Sequence, residues 1–369
     1  MKTLTCLLMM AFVALLTGFA DAAETIRIGV AGAHSGDLAS YGLPTVAAVQ
    51  FVVDEVNAGG GIRGKKIELV KMDDACKPEM ATHAAQKLVS DKVDAVIGHI
   101  CSGATKSALG IYRDARIIVI SPSATNVELT KSGEYPNFFR TIAPDDAQAR
   151  LEVDFALTQL KIKTFAVIHD KGDYGKGFAE FARGFLEKAG GSVLLFEGVT
   201  PGAVDYSAIV QKIKQSQAGA VIYGGYHPEA AKIVMGMKKK KMKTLFLSDD
   251  GVKDETFIKV AGAFAEGVYA TGPIDTTRSP MAMSAIDKHK KAFNADPGAF
   301  YLNAHAASLA LVNALNKADS TDYEVLARIL RAEWVETPLG NISFDERGDA
   351  RGIGFEMYRV KNGKYEATK

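Results

Sequence analysis

From Thr25 onward the chain repeats one pattern: a short β-branched apolar run, a turn, then an amphipathic stretch of twelve or more residues. Ile26–Val30, Lys66–Lys71, Ala95–Gly98 and Ile117–Ile120 read as strands, and a second series follows at Phe165–Ile168, Val193–Phe196, Ala220–Tyr223 and Thr244–Leu247. Between them Pro44–Val56, Met80–Ser90, Ala147–Leu160 and Gly177–Ala189 carry helical periodicity. Strands that are apolar throughout, with helices between them, predict parallel sheets covered on both faces. Two series predict an α/β fold of two doubly wound lobes rather than one eight-stranded barrel. Thr141–Asp146 (TIAPDD) carries the chain from the first lobe to the second, and Gly272–Pro273 punctuates the way back. Met281–Phe293, Ala299–Lys317 and Asp322–Arg331 then read as helices, and Phe355–Val360 and Lys364–Ala367 as a hairpin around Asn362-Gly363.

The first residues read as an address. Lys2 precedes an apolar run, Cys6 to Leu16, of eleven residues, short of the roughly 20 that a membrane-spanning helix needs. Ala20 and Ala22 follow at an A-x-A spacing, so a cleavable secretory signal cut after Ala22 is expected, with export to the periplasm. Residue 23 is alanine, so the cut leaves no lipid-bearing cysteine. Cys6 departs with the signal, and the two remaining thiols, Cys76 and Cys101, suggest a disulfide in an oxidising compartment. The 369 residues are 24 % charged and 47 % hydrophobic, with 44 Lys+Arg against 43 Asp+Glu. That mix excludes a disordered or multi-span membrane chain, and a net charge of +1 gives no field that would favour nucleic acid.

Enzyme motifs fail one by one. Gly59–Lys65 (GGGIRGK) starts like a phosphate loop, but Lys66 stands where the magnesium-binding hydroxyl belongs. The run also follows a helix and precedes a strand, the reverse of the order a phosphate site needs, so a helix C-cap and turn is expected. There is no G-x-S-x-G elbow, no C-x-x-C and no H-E-x-x-H, so neither metal nor cofactor is expected. His99 and His169 close strands and could face a cleft, though hydrogen-bonded structural roles suit them better. Lys238–Lys241 reads as a solvated helix face.

Binding groups stand at the strand ends, where open α/β sheets hold their ligands. They are Ser35-Gly36 with Tyr41, Cys101-Ser102, Ser123-Ala124-Thr125, Tyr174, Tyr226 and Asp249-Asp250. Hydroxyls beside helix N-termini suit a carboxylate, a lone carboxylate such as Asp250 suits an ammonium, and Tyr41, Tyr226 and Phe300 could wall an apolar side chain. Together they describe a zwitterionic amino acid with a hydrophobic tail.

The segments KMDDACKPEMA (71–81), VIGHICSGAT (96–105), SPSATNVELT (121–130), IHDKGDYGKG (168–177) and YGGYHPE (223–229) resemble the leucine/isoleucine/valine-binding family of ABC-transporter substrate-binding proteins. The resemblance implies a type I periplasmic binding fold with three crossovers and a ligand trapped between lobes. It implies the division 1–22 signal peptide, 23–143 plus 274–353 lobe 1, and 144–273 plus 354–369 lobe 2. Carried over by position, Ser102 and the backbone at Thr125 would hold the ligand carboxylate. The Ser123 carbonyl, the Thr125 hydroxyl and Asp250 would hold the ammonium. Tyr41, Ile100, Cys101, Ala124, Tyr174, Tyr226 and Phe300 would form the side-chain pocket, and the family's disulfide maps onto Cys76 and Cys101. The implied partners are a membrane permease and its ATPase subunits, the protein itself being a monomer. One departure stands out: the family's P-E-G glutamate is replaced within Ser248-Asp249-Asp250-Gly251, and aspartate reaches about 1.5 Å less. Another small amino acid or amide, such as γ-aminobutyrate, therefore stays open as the ligand, as does a sensing role for a signalling partner.

Overall fold

The computed structural model describes residues 25–318 and 320–368, so the signal-peptide reading on residues 1–22 lies outside the described residues. A five-stranded parallel sheet has the order β2-β1-β3-β4-β5, built from β1 (Ile26–Gly32), β2 (Ile67–Asp73), β3 (Ala95–Ile97), β4 (Ile118–Ser121) and β5 (Phe138–Arg140). A second sheet begins with β6 (Thr164–His169), β7 (Ser192–Gly198), β8 (Ala220–Gly224), β9 (Leu245–Ser248) and β10 (Tyr269–Pro273), in the parallel order β10-β9-β8-β6-β7. A small antiparallel sheet of Val335–Thr337, Gly340–Phe344 and Ala350–Arg351 (β11 to β13) comes next in the chain. The hairpin Phe355–Lys361 and Lys364–Ala367 (β14, β15) then adds antiparallel to the free edge of β10.

The two large sheets are each covered on both faces. Ala39–Ala58 (α1) and the C-terminal helices Tyr301–Lys317 and Tyr323–Ala332 pack on one face of the first sheet. Pro78–Ser90 (α2) and Ser102–Asp114 (α3) cover the other. Asp145–Thr158 and Asp173–Lys188 cover one face of the second sheet, and Ser207–Ser216, His227–Lys239 and Glu255–Ala261 the other. The chain passes between the two cores three times: after β5, after β10, and between β13 and β14. In the order 2-1-3 of the first sheet and 7-6-8 of the second, neighbouring strands lead their connections to opposite faces, which opens a crevice at their carboxyl ends.

Several boundaries differ from the sequence reading. The first helix begins at Ala39, not Pro44, and keeps Pro44 inside it, because the added turn carries Tyr41, which is 1 % exposed. Tertiary packing there outweighs the lost backbone bond. Gly272–Pro273 is the end of β10 rather than a loop, a position where a strand tolerates proline. The helix expected from Ala299 starts at Tyr301, and Phe300 before it has φ +60°. β5, β10 and β11 to β13 are not read as strands from the sequence, since their short runs are broken by polar residues, glycine or proline. The glycine run closes α1 as a C-cap, with Gly59 and Gly61 N–H groups donating to Glu55 and Val56.

Cys76 and Cys101 form a disulfide, with Cα atoms 5.4 Å apart across 25 residues of sequence. It ties the loop after β2 to the residue preceding α3. Closing that loop stabilises by roughly 3.5 kcal/mol in the chain-entropy model. Reduction is expected to lower unfolding free energy by that order in urea titrations with and without a phosphine reductant. Equal midpoints would show that the bridge contributes nothing.

Candidate functional site

The crevice residues meet where the sheets' carboxyl ends face each other. Tyr41, Ile100, Ser102, Ser123, Tyr174, Tyr226, Asp250, Gly251 and Phe300 enclose a cavity of about 10 Å³, room for about one water. Asp250 and Phe300 also line a groove of about 1070 Å³ that leads past Pro44 and Ile274. Eight of the sequence-derived candidates are therefore brought together. Cys101, Ala124 and Thr125 are buried behind the cavity wall rather than lining it. Ser35 and Gly36 are exposed and do not line the cavity, and Ser35 hydrogen-bonds Asp73.

Each wall follows from a strand end. Ile100 to Ser102 leave β3 and start α3, whose first-turn N–H groups have no intrahelical partner. Ser102 Oγ accepts from the Asn126 N–H at 3.2 Å and keeps its own proton to donate. Thr125 contributes from the loop before the short Glu128–Lys131 helix, and its carbonyl accepts the Asp145 N–H at 2.9 Å from the start of the Asp145–Thr158 helix. That loop is clamped from behind by Arg140, whose side chain is wholly buried. Its guanidinium donates to the carbonyls of Ala124 (3.2 Å) and Asn126 (2.8 Å), to Thr130 (2.7 Å) and to Asp349 (2.6 Å).

On the facing side, Gly175 and Gly224 bring the Asp173–Lys188 helix onto the end of β8. A Cβ on either glycine would lie within 2.3 Å of the other's carbonyl oxygen. This approach sets Tyr174 and Tyr226, whose ring centroids are 5.1 Å apart. Tyr41 stands 6.0 Å from Tyr226 and 5.8 Å from Phe300. The Tyr41 hydroxyl, 2.6 Å from both the Gly251 carbonyl and His227 Nδ1, joins the two halves. A carbonyl only accepts, so the tyrosine donates to it and the imidazole donates from Nδ1. Burial holds the His227 pKa below its ordinary value, which keeps that ring neutral. Asn126 Nδ2 also crosses the crevice, to the Asp173 carbonyl at 2.6 Å.

The two neighbouring acids divide their roles. Asp249 accepts the Gly225 N–H at 2.8 Å and is structural. Asp250 faces the cavity, where its Oδ1 accepts from Tyr174 OH (2.5 Å) and Gln148 Nε2 (3.2 Å). Burial pushes the Asp250 carboxyl up to about 6, against the pull of those bonds. Gln148, which sequence reasoning missed, is fully used: its amide oxygen accepts from the Asp250 N–H and from Thr271. The only trace it leaves in the sequence is Asp145, Gln148 and Glu152 at helical spacing beside Ala149, Val153 and Ala156. That is a polar stripe on a buried face.

The histidines at strand ends are structural. His99 lies buried between Asp74 (2.5 Å) and Tyr112 (3.0 Å), and His169 accepts the Lys171 N–H at 3.0 Å. Lys238–Lys241 is exposed. Among the described residues no cluster of three or more His, Cys, Asp or Glu is arranged to hold a metal, and no helix is long and apolar enough to cross a membrane.

Residues 25–364 match the family described as periplasmic binding protein. The leucine-, isoleucine-, valine-, threonine- and alanine-binding protein of Pseudomonas aeruginosa is 38 % identical, over 93 % of this chain and 92 % of the relative. The Leu/Ile/Val-binding protein of Escherichia coli is 37 % identical over 91 % of each chain. Among solved structures, the isoleucine complex of the branched-chain amino acid transporter substrate binding protein LivJ from Streptococcus pneumoniae superposes with a TM-score of 0.86. It is 30 % identical and covers 94 % of this chain and 100 % of that one.

Proposed function

Since the chain belongs to the periplasmic binding protein family, we propose that it captures small amino acids with branched apolar side chains for an ABC importer. The observation that carries this reading is the cavity itself, with a buried carboxylate (Asp250), a hydroxyl at a helix N-terminus (Ser102) and a wall of rings on one small space. The Ser102 hydroxyl and the Thr125 backbone take the carboxylate. The Ser123 carbonyl, Thr125 Oγ1 and Asp250 take the ammonium. Tyr41, Ile100, Tyr174, Tyr226 and Phe300 receive the side chain, with Cys101 and Ala124 supporting them.

The lobes are residues 23–143 plus 274–353 and 144–273 plus 354–369. A cavity of about 10 Å³ is smaller than any amino acid, so entry requires the lobes to part. Ligand docks first on Ser102 and Thr125. Closure then adds Tyr174, Tyr226 and Asp250, so the closed form binds far more tightly and its population rises. The protein acts by binding alone, as a monomer in the periplasm after loss of its signal peptide. A permease with its ATPase subunits reads the closed form.

A thermal-shift panel of leucine, isoleucine, valine, alanine, threonine, their amides and γ-aminobutyrate tests the reading. A ligand at a hundred times its Kd stabilises by about 2.7 kcal/mol, so leucine, isoleucine or valine at millimolar concentration is expected to raise Tm by a few degrees. No shift with any amino acid would refute it. Gly251→Ala offers a geometric check, since its Cβ would stand 2.6 Å from the Gly225 carbonyl oxygen and 2.9 Å from Tyr174 Cε1. Displacing Tyr174 is expected to weaken leucine binding at least tenfold by calorimetry; unaltered affinity would remove Tyr174 from the site.

A further inference from the structure

Asp250 Oδ2 is a buried side-chain oxygen with no hydrogen bond, and close by the Thr125 hydroxyl bonds to the Asp145 carboxylate. Buried polar atoms are nearly always paired, and these groups come from separate elements that other bonds draw together. One amide nitrogen, Gln148 Nε2, donates to Asp145 Oδ1 at 2.6 Å and to Asp250 Oδ1 at 3.2 Å. The Asp145 N–H donates to the Thr125 carbonyl at 2.9 Å, which places the threonine beside the first turn of the Asp145–Thr158 helix. Asp145 itself is 0 % exposed.

We propose that Asp145 is a second carboxylate of the ammonium subsite, so that a primary ammonium sits among Asp145, Asp250 and Thr125 and displaces a proton from the carboxyl pair. The proposal rests on the amino-acid reading above and adds to it a residue and a proton. An ammonium brings three N–H donors, and Asp250 Oδ2, the Asp145 carboxylate and the lone pairs of Thr125 Oγ1 offer acceptors for them. Asp145 also answers the shorter reach of Asp250 by supplying a second carboxylate from the helix that carries Gln148.

Two carboxyls that share one donor out of water do not both ionise readily. Burial and the charge of Asp250 push Asp145 up to about 7, and burial pushes Asp250 up to about 6. The surroundings do not cancel this. Asp249 and Glu152 are themselves held well above the carboxylate range by burial, and Tyr174 and Tyr226 are held neutral. The bonds from Thr125 and Gln148 and, after them, the charge of Arg140 draw Asp145 down without offsetting burial, and Arg140 is spent on Asp349 and two carbonyls. Lys253, over the Tyr358 ring at 4.1 Å, draws Asp250 down from farther off. The pair thus retains a proton near neutral pH until a bound cation makes the second charge favourable. The proton passes from the carboxyl to solvent or buffer.

Calorimetric titration with L-leucine, from pH 5.5 to 8 in buffers of differing ionisation enthalpy, tests this on the whole mature protein. Expected are release of about half a proton at pH 7 and affinity that tightens at least tenfold between pH 5.5 and 7.5. Asp145→Asn is expected to weaken leucine at least tenfold, abolish the proton release and flatten the pH profile, with thermal unfolding recorded alongside. Wild-type binding without proton release, or a folded Asp145→Asn with unchanged Kd, would overturn the proposal while leaving the amino-acid reading intact. If the variant does not fold, the wild-type proton count decides alone. If leucine does not bind, γ-aminobutyrate is the probe; failure of every amino acid to bind overturns both readings.

Discussion

Asp250→Asn is expected to abolish most amino-acid affinity while making the unliganded protein more stable above neutral pH. The affinity loss follows from leaving a buried ammonium without its charged partner, a cost of about 2–5 kcal/mol, or roughly 30-fold to several thousand-fold in Kd. The stability gain has the opposite sign because the native site holds this carboxyl up to about 6, above its unfolded value. The folded state therefore binds more protons than the unfolded state between about pH 4 and pH 6. Its contribution to stability is full below pH 4 and is lost as pH rises through 6. Asparagine carries no charge, so it escapes that loss while keeping an oxygen for Tyr174 and Gln148. Melting curves at pH 7.5 are expected to shift upward by a few degrees, and those at pH 4 to coincide with wild type. Calorimetry supplies the other half, and wild-type leucine affinity in the variant would remove Asp250 from the ammonium site.

Arg140→Met is expected to give the largest loss of stability. The guanidinium is wholly buried and serves Asp349, Thr130 and the carbonyls on either side of Thr125. Methionine fills part of the volume but leaves a largely buried carboxylate without its counter-charge and the Ala124 carbonyl without a donor. Breaking one partner of such a pair costs about 3–5 kcal/mol. The ligand loop 124–126 also loses its clamp, so affinity should fall at least tenfold. Urea titration reads the first effect and leucine calorimetry the second. A loss below about 1 kcal/mol would mean that the backbone holds the loop unaided. Adding Asp349→Asn is expected to recover part of the stability and none of the affinity, since it relieves the orphaned charge without restoring the clamp.

The contrast between Asp250 and Arg140 marks what the sequence makes legible. Strands β3, β4, β6, β8 and β9, and β1 apart from Arg27, are readable because burial on both faces leaves a largely apolar run. Their carboxyl ends then locate Ser102, Tyr174, Tyr226 and Asp250 by topology, and the family resemblance assigns each a role. Tyr41 is read with the end of β1, although it stands inside α1, and Phe300 is reached through the resemblance and its chemistry. Arg140, Gln148 and Asp145 escape because their partners are 14 to 209 residues away along the chain in the longer cases, and no local period reports such a pairing. Asp249 and Asp250 cannot be separated in one dimension; the bond from Gly225 to Asp249 is what leaves Asp250 for the cavity.

The central claim is that this interlobe crevice closes on a zwitterion, and a crystal structure grown with L-leucine tests it most directly. The account predicts the ligand carboxylate at Ser102 and the Thr125 backbone, the ammonium within hydrogen-bond distance of Asp250, and the isobutyl group among Tyr41, Tyr226 and Phe300. Leucine bound elsewhere, or in this crevice with its ammonium turned away from Asp250, would contradict it.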